Sequence, residues 1–272
     1  MSFDPVFFQM QREGYITRSC ICTAFNELLG ATVNQKGRYY TAFFQLAIGI
    51  ERTQKLAIIL DHMIHDTLLP PGEHAIRQFS HDVQKLYDKA TSIAKSRTIT
   101  DSILFDLKPL HRRMLAFLAD FANGARYANL KALASGKSPK EPLEEWEAIM
   151  WDTFKKDVPE EKKQSILQEA AARTSLMQDW TIVMAHDLKN RPLSVATMIL
   201  LELWLKAVSP YILWNLVILI LPITDLVCQL ADELRNTYAS KGIKDMTIPH
   251  MNEFYDFLCL DQEYVLSRES WY

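Results

Sequence analysis

The chain is poor in the residues that punctuate β structure. Its 8 glycines and 11 prolines in 272 residues are too few for a fold of many short strands and tight turns. The four cysteines, Cys20, Cys22, Cys228 and Cys259, are too few for a disulfide scaffold. Cys20 and Cys22 make one C-x-C pair, with no second pair at zinc-finger spacing, so reduced core thiols are expected. Charge of one sign is also lacking. The formal net charge is −3 and the pI about 6.2, which excludes a global basic field for nucleic acid or anionic membrane. The glycines never fall as G-x-G-x-x-G, G-x-x-x-x-G-K-[ST] or G-x-S-x-G, which argues against the common nucleotide-dependent and nucleophile-elbow enzymes and calls for no cofactor. The first ten residues lack a basic stretch followed by an apolar run, so a signal peptide is not expected and the location expected is cytoplasmic.

What the chain does have is hydrophobic content, 49% against 23% charged, enough for a substantial core. That content recurs with a helical period. Ile76, Phe79, Val83, Leu86, Ala90 and Ile93 are spaced 3, 4, 3, 4, 3 and form one stripe. Phe43, Leu46, Ile50, Ala57, Leu60 and Ile64 form another, with Gly49 as a point of close helix approach. Leu69-Pro70-Pro71-Gly72 separates the two. A third helix fits residues 101–123, with Leu110, Met114, Phe117, Leu118 and Phe121 inward and an interruption at Pro109. The segment 15–22 alternates loosely and fits a strand or an early helix.

Residues 135–142, rich in Ser, Gly, Pro and Lys, read as a linker dividing the chain into 1–137 and 138–272. The second part is helical too, over 145–156 and 160–186, with Pro192 and Pro210 at helix starts and Pro249 opening a last helix. Residues 207–224 carry no charge over 18 positions, the lower limit for a membrane span. Ser209-Pro210 reads as a cap and first turn inside that run, and Pro222 as a kink, so a buried core helix is expected. A terminal group of aromatics, Tyr264, Trp271 and Tyr272, suits docking of the tail on the core.

Candidate chemistry is sparse. Asp61-His62-Met63-Ile64-His65-Asp66 has metal-capable side chains without H-E-x-x-H spacing, and reads as a polar helix end; no metal is expected. A charged patch is more informative. Glu51 and Lys55 are four apart in the favourable order, next to Arg52. On the following helix His81, Asp82 and Lys85 lie off the apolar stripe. Two antiparallel neighbours joined at Pro70-Pro71-Gly72 bring the groups together, either as a structural network or as a polar cleft. His186-Asp187-Leu188-Lys189-Asn190-Arg191-Pro192-Leu193 resembles the phosphoacceptor box of sensor histidine kinases, but Arg191 is inserted before Pro-Leu and no glycine-rich ATP-binding region follows.

Phe43-Phe44, Ile50-Glu51-Arg52 and Lys55-Leu56, followed by Ser80-His81-Asp82-Val83-x-Lys85-Leu86, resemble HEPN-type proteins over about residues 38–135. The second run is similar to G-H-D-L-K-K-L of several HEPN subfamilies, with Ser80 in place of Gly. The resemblance implies an all-α bundle of the prokaryotic defence or toxin–antitoxin kind, many members being dimeric and many ribonucleases. The HEPN nuclease pattern, an Arg followed after four to six residues by His, is absent. Arg77 and His81 have only three residues between them, and Arg126 has no His before His186.

The expectation is therefore an all-α protein: a HEPN-like helical bundle over 1–137 followed by a C-terminal helical extension over 138–272 packed on it. Its expected function is that of a non-catalytic or regulatory module acting as a homodimer or on a protein partner. The alternative is a divergent, metal-independent ribonuclease using Arg52, Arg77, His81 and Arg126 on RNA, with His as acid/base and Arg stabilising charge. A third reading, a membrane-associated effector using residues 207–224, ranks below both.

Overall fold

The computed structural model describes residues 3–65, 68–97, 105–136, 141–177, 182–243 and 247–272. It is 76% helical, and the described residues contain no sheet, only an isolated antiparallel bridge between His186 and Pro192. The all-α class expected from the periodicity is what the chain adopts.

Among the described residues ten α-helices follow in order: α1 (Pro5–Gly30), α2 (Gly37–His65), α3 (Glu73–Arg77), α4 (Val83–Ser96), α5 (Pro109–Asn123), α6 (Ala128–Ser135), α7 (Pro142–Asp157), α8 (Glu160–Met177), α9 (Val195–Ser240) and α10 (Gln262–Ser267). Residues 15–22 fall within α1. Asp4 caps that helix by accepting from Val6 N at 2.7 Å, ahead of Pro5 in the first turn. The helices α1 and α2 form an antiparallel hairpin: Arg38 at the start of α2 bonds Glu27 and the carbonyls of Asn26 and Gly30, while Arg52 further on reaches back to Glu13. At Gly49 a Cβ would lie 3.1 Å from Ile21 Cγ1 and 3.3 Å from Cys20 Cβ, so the crossing is as close as the glycine suggested.

The helix α9 is the axis of the molecule. It packs against α1, α2, α4, α5, α7, α8 and α10. Its most apolar window is 78% buried inside the protein, and Leu213, Leu216, Val217 and Ile220 are fully buried. One hydrophobic cluster runs from Met10 to Trp271 and takes side chains from both halves of the chain. The tail closes on α1: Asn26 donates to Trp271 O and accepts from Trp271 N, both at 2.8 Å, and the Trp271 ring lies edge-on to Phe25.

Several sequence-based boundaries are corrected. The α9 helix starts at Val195, not at Pro210. Ser194 and Thr197 form a capping box, and the helix runs on through both prolines. Pro210 cannot donate to its preceding turn, but Ser209 Oγ donates to Leu205 O at 2.8 Å there, and packing on several sides holds the segment helical. Pro192 lies in the loop before α9. The stripe starting at Ile76 is not one helix. It breaks after α3, Ser80 adopts φ 48°, and Asp82 recaps the chain by accepting from Lys85 N at 3.0 Å. The third helix starts at Pro109, residues 101–104 lying outside the described set. α8 ends at Met177, short of His186, with residues 178–181 likewise outside that set. Pro249 opens only a 3-10 turn, Met251–Phe254. In the linker, residues 137–140 also lie outside the described set.

The relation of α2 to α4 differs too. Gln54 Nε2 donates to Val83 O at 3.2 Å at the start of α4, and Arg97, just past its end, bonds Asp61 near the end of α2. The two helices thus run in the same sense. The connection after α2, with its Pro-Pro-Gly and α3, does not make a tight turn but carries the chain back along α2 before α4 begins.

Candidate functional site

Because α4 starts beside the middle of α2, the turn ahead of it meets the charged face of α2. Glu51 is nearly covered, and it accepts from Lys55 Nζ at 2.7 Å while lying 3.1 Å from His81 Nδ1. Lys55 also donates to Ser80 O at 2.8 Å. Glu51 therefore ties the α2 face to the turn that precedes α4. His81 stays largely exposed, with its second ring nitrogen free of any bond to the described residues.

Only part of the charged patch converges. Arg52 turns to α1, where its Nη1 bonds both carboxylate oxygens of Glu13 at 2.7 and 2.6 Å. That bond raises the Arg52 pKa above its already high ordinary value. Asp82 is occupied as the α4 cap and pairs with Lys85 at 3.3 Å. Arg77 lies on exposed α3, paired with Glu73 at 2.5 Å. Arg126 does reach the group: a small cavity of about 230 Å³ is lined by Phe44, Ile48, Glu51, Arg52, His81 and Arg126, among others. Arg126 has a guanidinium 5.1 Å from the Tyr127 ring and a buried Nε with no hydrogen-bond partner. On the other side of Arg52, a wider cleft of about 630 Å³ opens between α1, α2 and α3, lined mainly by Val6, Met10, Ile16, Leu56, Ile59 and Ile76.

Cys20, Cys22 and Cys228 do not add nucleophiles. All four are free thiols, and burial pushes Cys20, Cys22 and Cys228 upward, to about 11 for Cys22 and about 12 for Cys228. Asp61 is occupied by Arg97, at 2.6 Å, and Asp66 lies outside the described residues. No group of three potential metal ligands converges among the described residues.

Three features carry no signal in the sequence. Glu13, the partner of Arg52, sits 39 positions away on α1. A buried chain joins three helices: His111 Nε2 bonds Asn215 Oδ1 at 2.8 Å, and Asn215 Nδ2 donates to Asp157 Oδ2 and Tyr211 O, each at 2.8 Å. The third feature is an aromatic cavity of about 610 Å³ between α7, α8 and α9. The Trp151 pair with Trp204 that shapes it would have required pairing residues from two helices not adjacent in sequence.

No protein-family model matches the sequence, and no curated protein or solved structure shows significant similarity to it.

Proposed function

We propose that this chain is a non-catalytic helical module that acts by self-association, in a bacterial defence or toxin–antitoxin setting. The setting rests on the HEPN resemblance of residues 43–56 and 80–86. The observation that carries the mode of action is a contrast within one face. Three cations there are neutralised inside the chain, Arg52 by Glu13, Lys55 by Glu51 and Lys85 by Asp82, and only Arg126 has no carboxylate partner among the described residues. A phosphodiester backbone needs several uncompensated cations, and a single arginine does not supply them. The apolar groups beside it, by contrast, lack cover: Phe44, Ile48, Tyr127, Leu130 and Leu133 are exposed, Leu133 at 84%.

The helix α6 supports the same reading. It has eight residues, buries only Ala128, and packs on little besides the 3-10 turn before it. An isolated helix of that length is marginal in water, so a second surface is needed to stabilise it. Asn129 places its start beside Tyr40 of α2, in line with Phe44 and Ile48 one and two turns on. A second copy offering the same apolar strip covers both. Sedimentation of the purified chain tests this: a concentration-dependent dimer that Leu133→Ser reduces to monomer is expected, and a monomer at all concentrations overturns it.

A second reading has one observation in its favour. Glu51 holds His81 Nδ1 and leaves the other nitrogen free, the arrangement of a carboxylate-oriented general base, and Arg126 lines the same cavity. A divergent ribonuclease built this way would lose RNA cleavage on His81→Ala while melting normally.

A further inference from the structure

We propose that the small cavity between α2, the end of α5 and the turn before α4 binds a small carboxylate on an apolar body, with Arg126 as its counter-ion. The proposal does not rest on self-association, although Phe44 and Ile48 belong to both surfaces.

The cavity follows from helical spacing and side-chain size. Phe44, Ala47, Ile48, Glu51 and Arg52 recur three and four apart along α2 and share one face. Phe121 and Ala122, at the end of α5, complete the apolar wall. The alanines at 47 and 122 fill less of the gap between the helices than their phenylalanine neighbours, and about 230 Å³ remains open. That is below the roughly 300–1,000 Å³ of a drug-sized site, so only a small body fits. Phe121 is fully buried, with its ring edge-on to Phe44 at 5.0 Å, while Phe44 and Ile48 are exposed. The mouth therefore lies at Phe44 and Ile48.

Charge selects the ligand class. Arg52 and Lys55 are paired with Glu13 and Glu51, but Arg126 has no carboxylate partner among the described residues. Gly124, at φ 143°, ends α5, and the 3-10 turn Ala125–Tyr127 then brings Arg126 to the cavity. None of the Arg126 N–H donors is bonded to the described residues. Its Nε is enclosed by protein, and the two terminal nitrogens reach solvent. A half-buried guanidinium in this state has lost hydration without gaining an acceptor. A carboxylate meets the two terminal nitrogens with the parallel pair of bonds that suits a guanidinium fork, and needs nothing from Nε.

The rest of the lining limits the ligand to one negative charge. Glu51 Oε1 accepts from Lys55 Nζ at 2.7 Å, and both its oxygens lie within 3.2 Å of His81 Nδ1. The Arg52–Glu13 and Glu51–Lys55 pairs cancel, and Arg126 alone stays uncompensated. A second negative charge would lie near Glu51 with no further cation to offset it. A monoanionic carboxylate is thus favoured over a dianionic phosphate monoester.

Calorimetric titration of the full chain with benzoate tests the proposal. Benzamide and phenyl phosphate serve as the neutral and dianionic counterparts of similar shape. The titration is run on the parent and on Leu133→Ser, whose altered side chain lies outside the cavity and which keeps the mouth uncovered if the parent self-associates. Benzoate is expected to bind about tenfold more tightly than either counterpart. Arg126→Gln should erase the preference over benzamide. Because Arg126 bonds nothing else in the described chain, it should also leave the melting temperature near that of the parent. Absence of benzoate binding by both chains, binding of benzamide or phenyl phosphate as tight as that of benzoate, or an unchanged preference in Arg126→Gln overturns the proposal. The preference measured with Arg126 in place decides the matter even if Arg126→Gln fails to fold.

Discussion

The charged face of α2 and the aromatic cavity by α9 teach opposite lessons about where a binding site is to be found. The first is dense in residues capable of chemistry, yet Glu13, Glu51, Arg52 and Lys55 are spent on each other. The second has as many charged residues, Glu147, Lys163, Asp187 and Arg191, but sets them around a Trp151–Trp204 stack and aliphatic side chains drawn from three helices. Residue type marks the first region, and side chains brought together from three helices mark the second. Both depend on the helix α9, directly for the cavity and through the α2–α9 packing for the face.

That shared dependence gives the largest expected effect. Leu216, fully buried at the middle of α9, supports both regions. Leu216→Ala should cost about 2–5 kcal/mol in urea unfolding, and both regions should lose structure in one transition. A loss below about 1 kcal/mol would show that α9 is not the common support.

Next comes the polar chain His111–Asn215–Asp157, which fixes α9 to α5 and α7 without touching either surface. Asn215→Ala strands a buried imidazole and should cost about 1–3 kcal/mol. The same chain sets a pH dependence. Burial, the largest influence, lowers the His111 pKa below its ordinary value, against the opposing bond from Asn215. The unfolded chain then takes up the proton first as pH falls. Stability from this group is full above about pH 6.5 and declines below it, down to the folded pKa. Unfolding measured between pH 7.5 and 5 should show that decline, and His111→Asn should flatten it.

The charged face itself should matter less to stability. The Arg52–Glu13 pair is partly exposed on both sides, so Arg52→Ala should cost no more than about 1 kcal/mol. The smallest stability effect belongs to Leu133→Ser on α6, within about 0.5 kcal/mol, although it should dissolve the self-association. A large loss from either variant would mean that the face is a core element and not a surface.

The sequence disclosed the helices wherever one stripe meets the core. Phe43, Leu46, Ile50, Ala57 and Leu60 are buried along α2, and Leu110, Met114, Phe117, Leu118 and Phe121 along α5, as their spacing indicates. It misled where a local signal competes with packing. Ser209-Pro210 has the chemistry of a helix start, but the surrounding helices keep that segment inside α9. The break between α3 and α4 escaped the 3–4 spacing, because Ile76 and Phe79 remain in step with α4 and pack partly against the core while the backbone turns between them. Within the site, Glu51–Lys55 was legible because both lie one turn apart on one helix. Arg52–Glu13 and Trp151–Trp204 were not, since each joins helices whose alignment no single stripe specifies.

Cleavage of a panel of single- and double-stranded RNAs by the purified chain, beside His81→Ala and Arg126→Ala, tests the central claim that this face is a structural tie and not a catalytic centre. The account predicts no cleavage above a buffer control by any of the three proteins. Cleavage by the parent chain that His81→Ala abolishes, with its melting temperature unchanged, would contradict it.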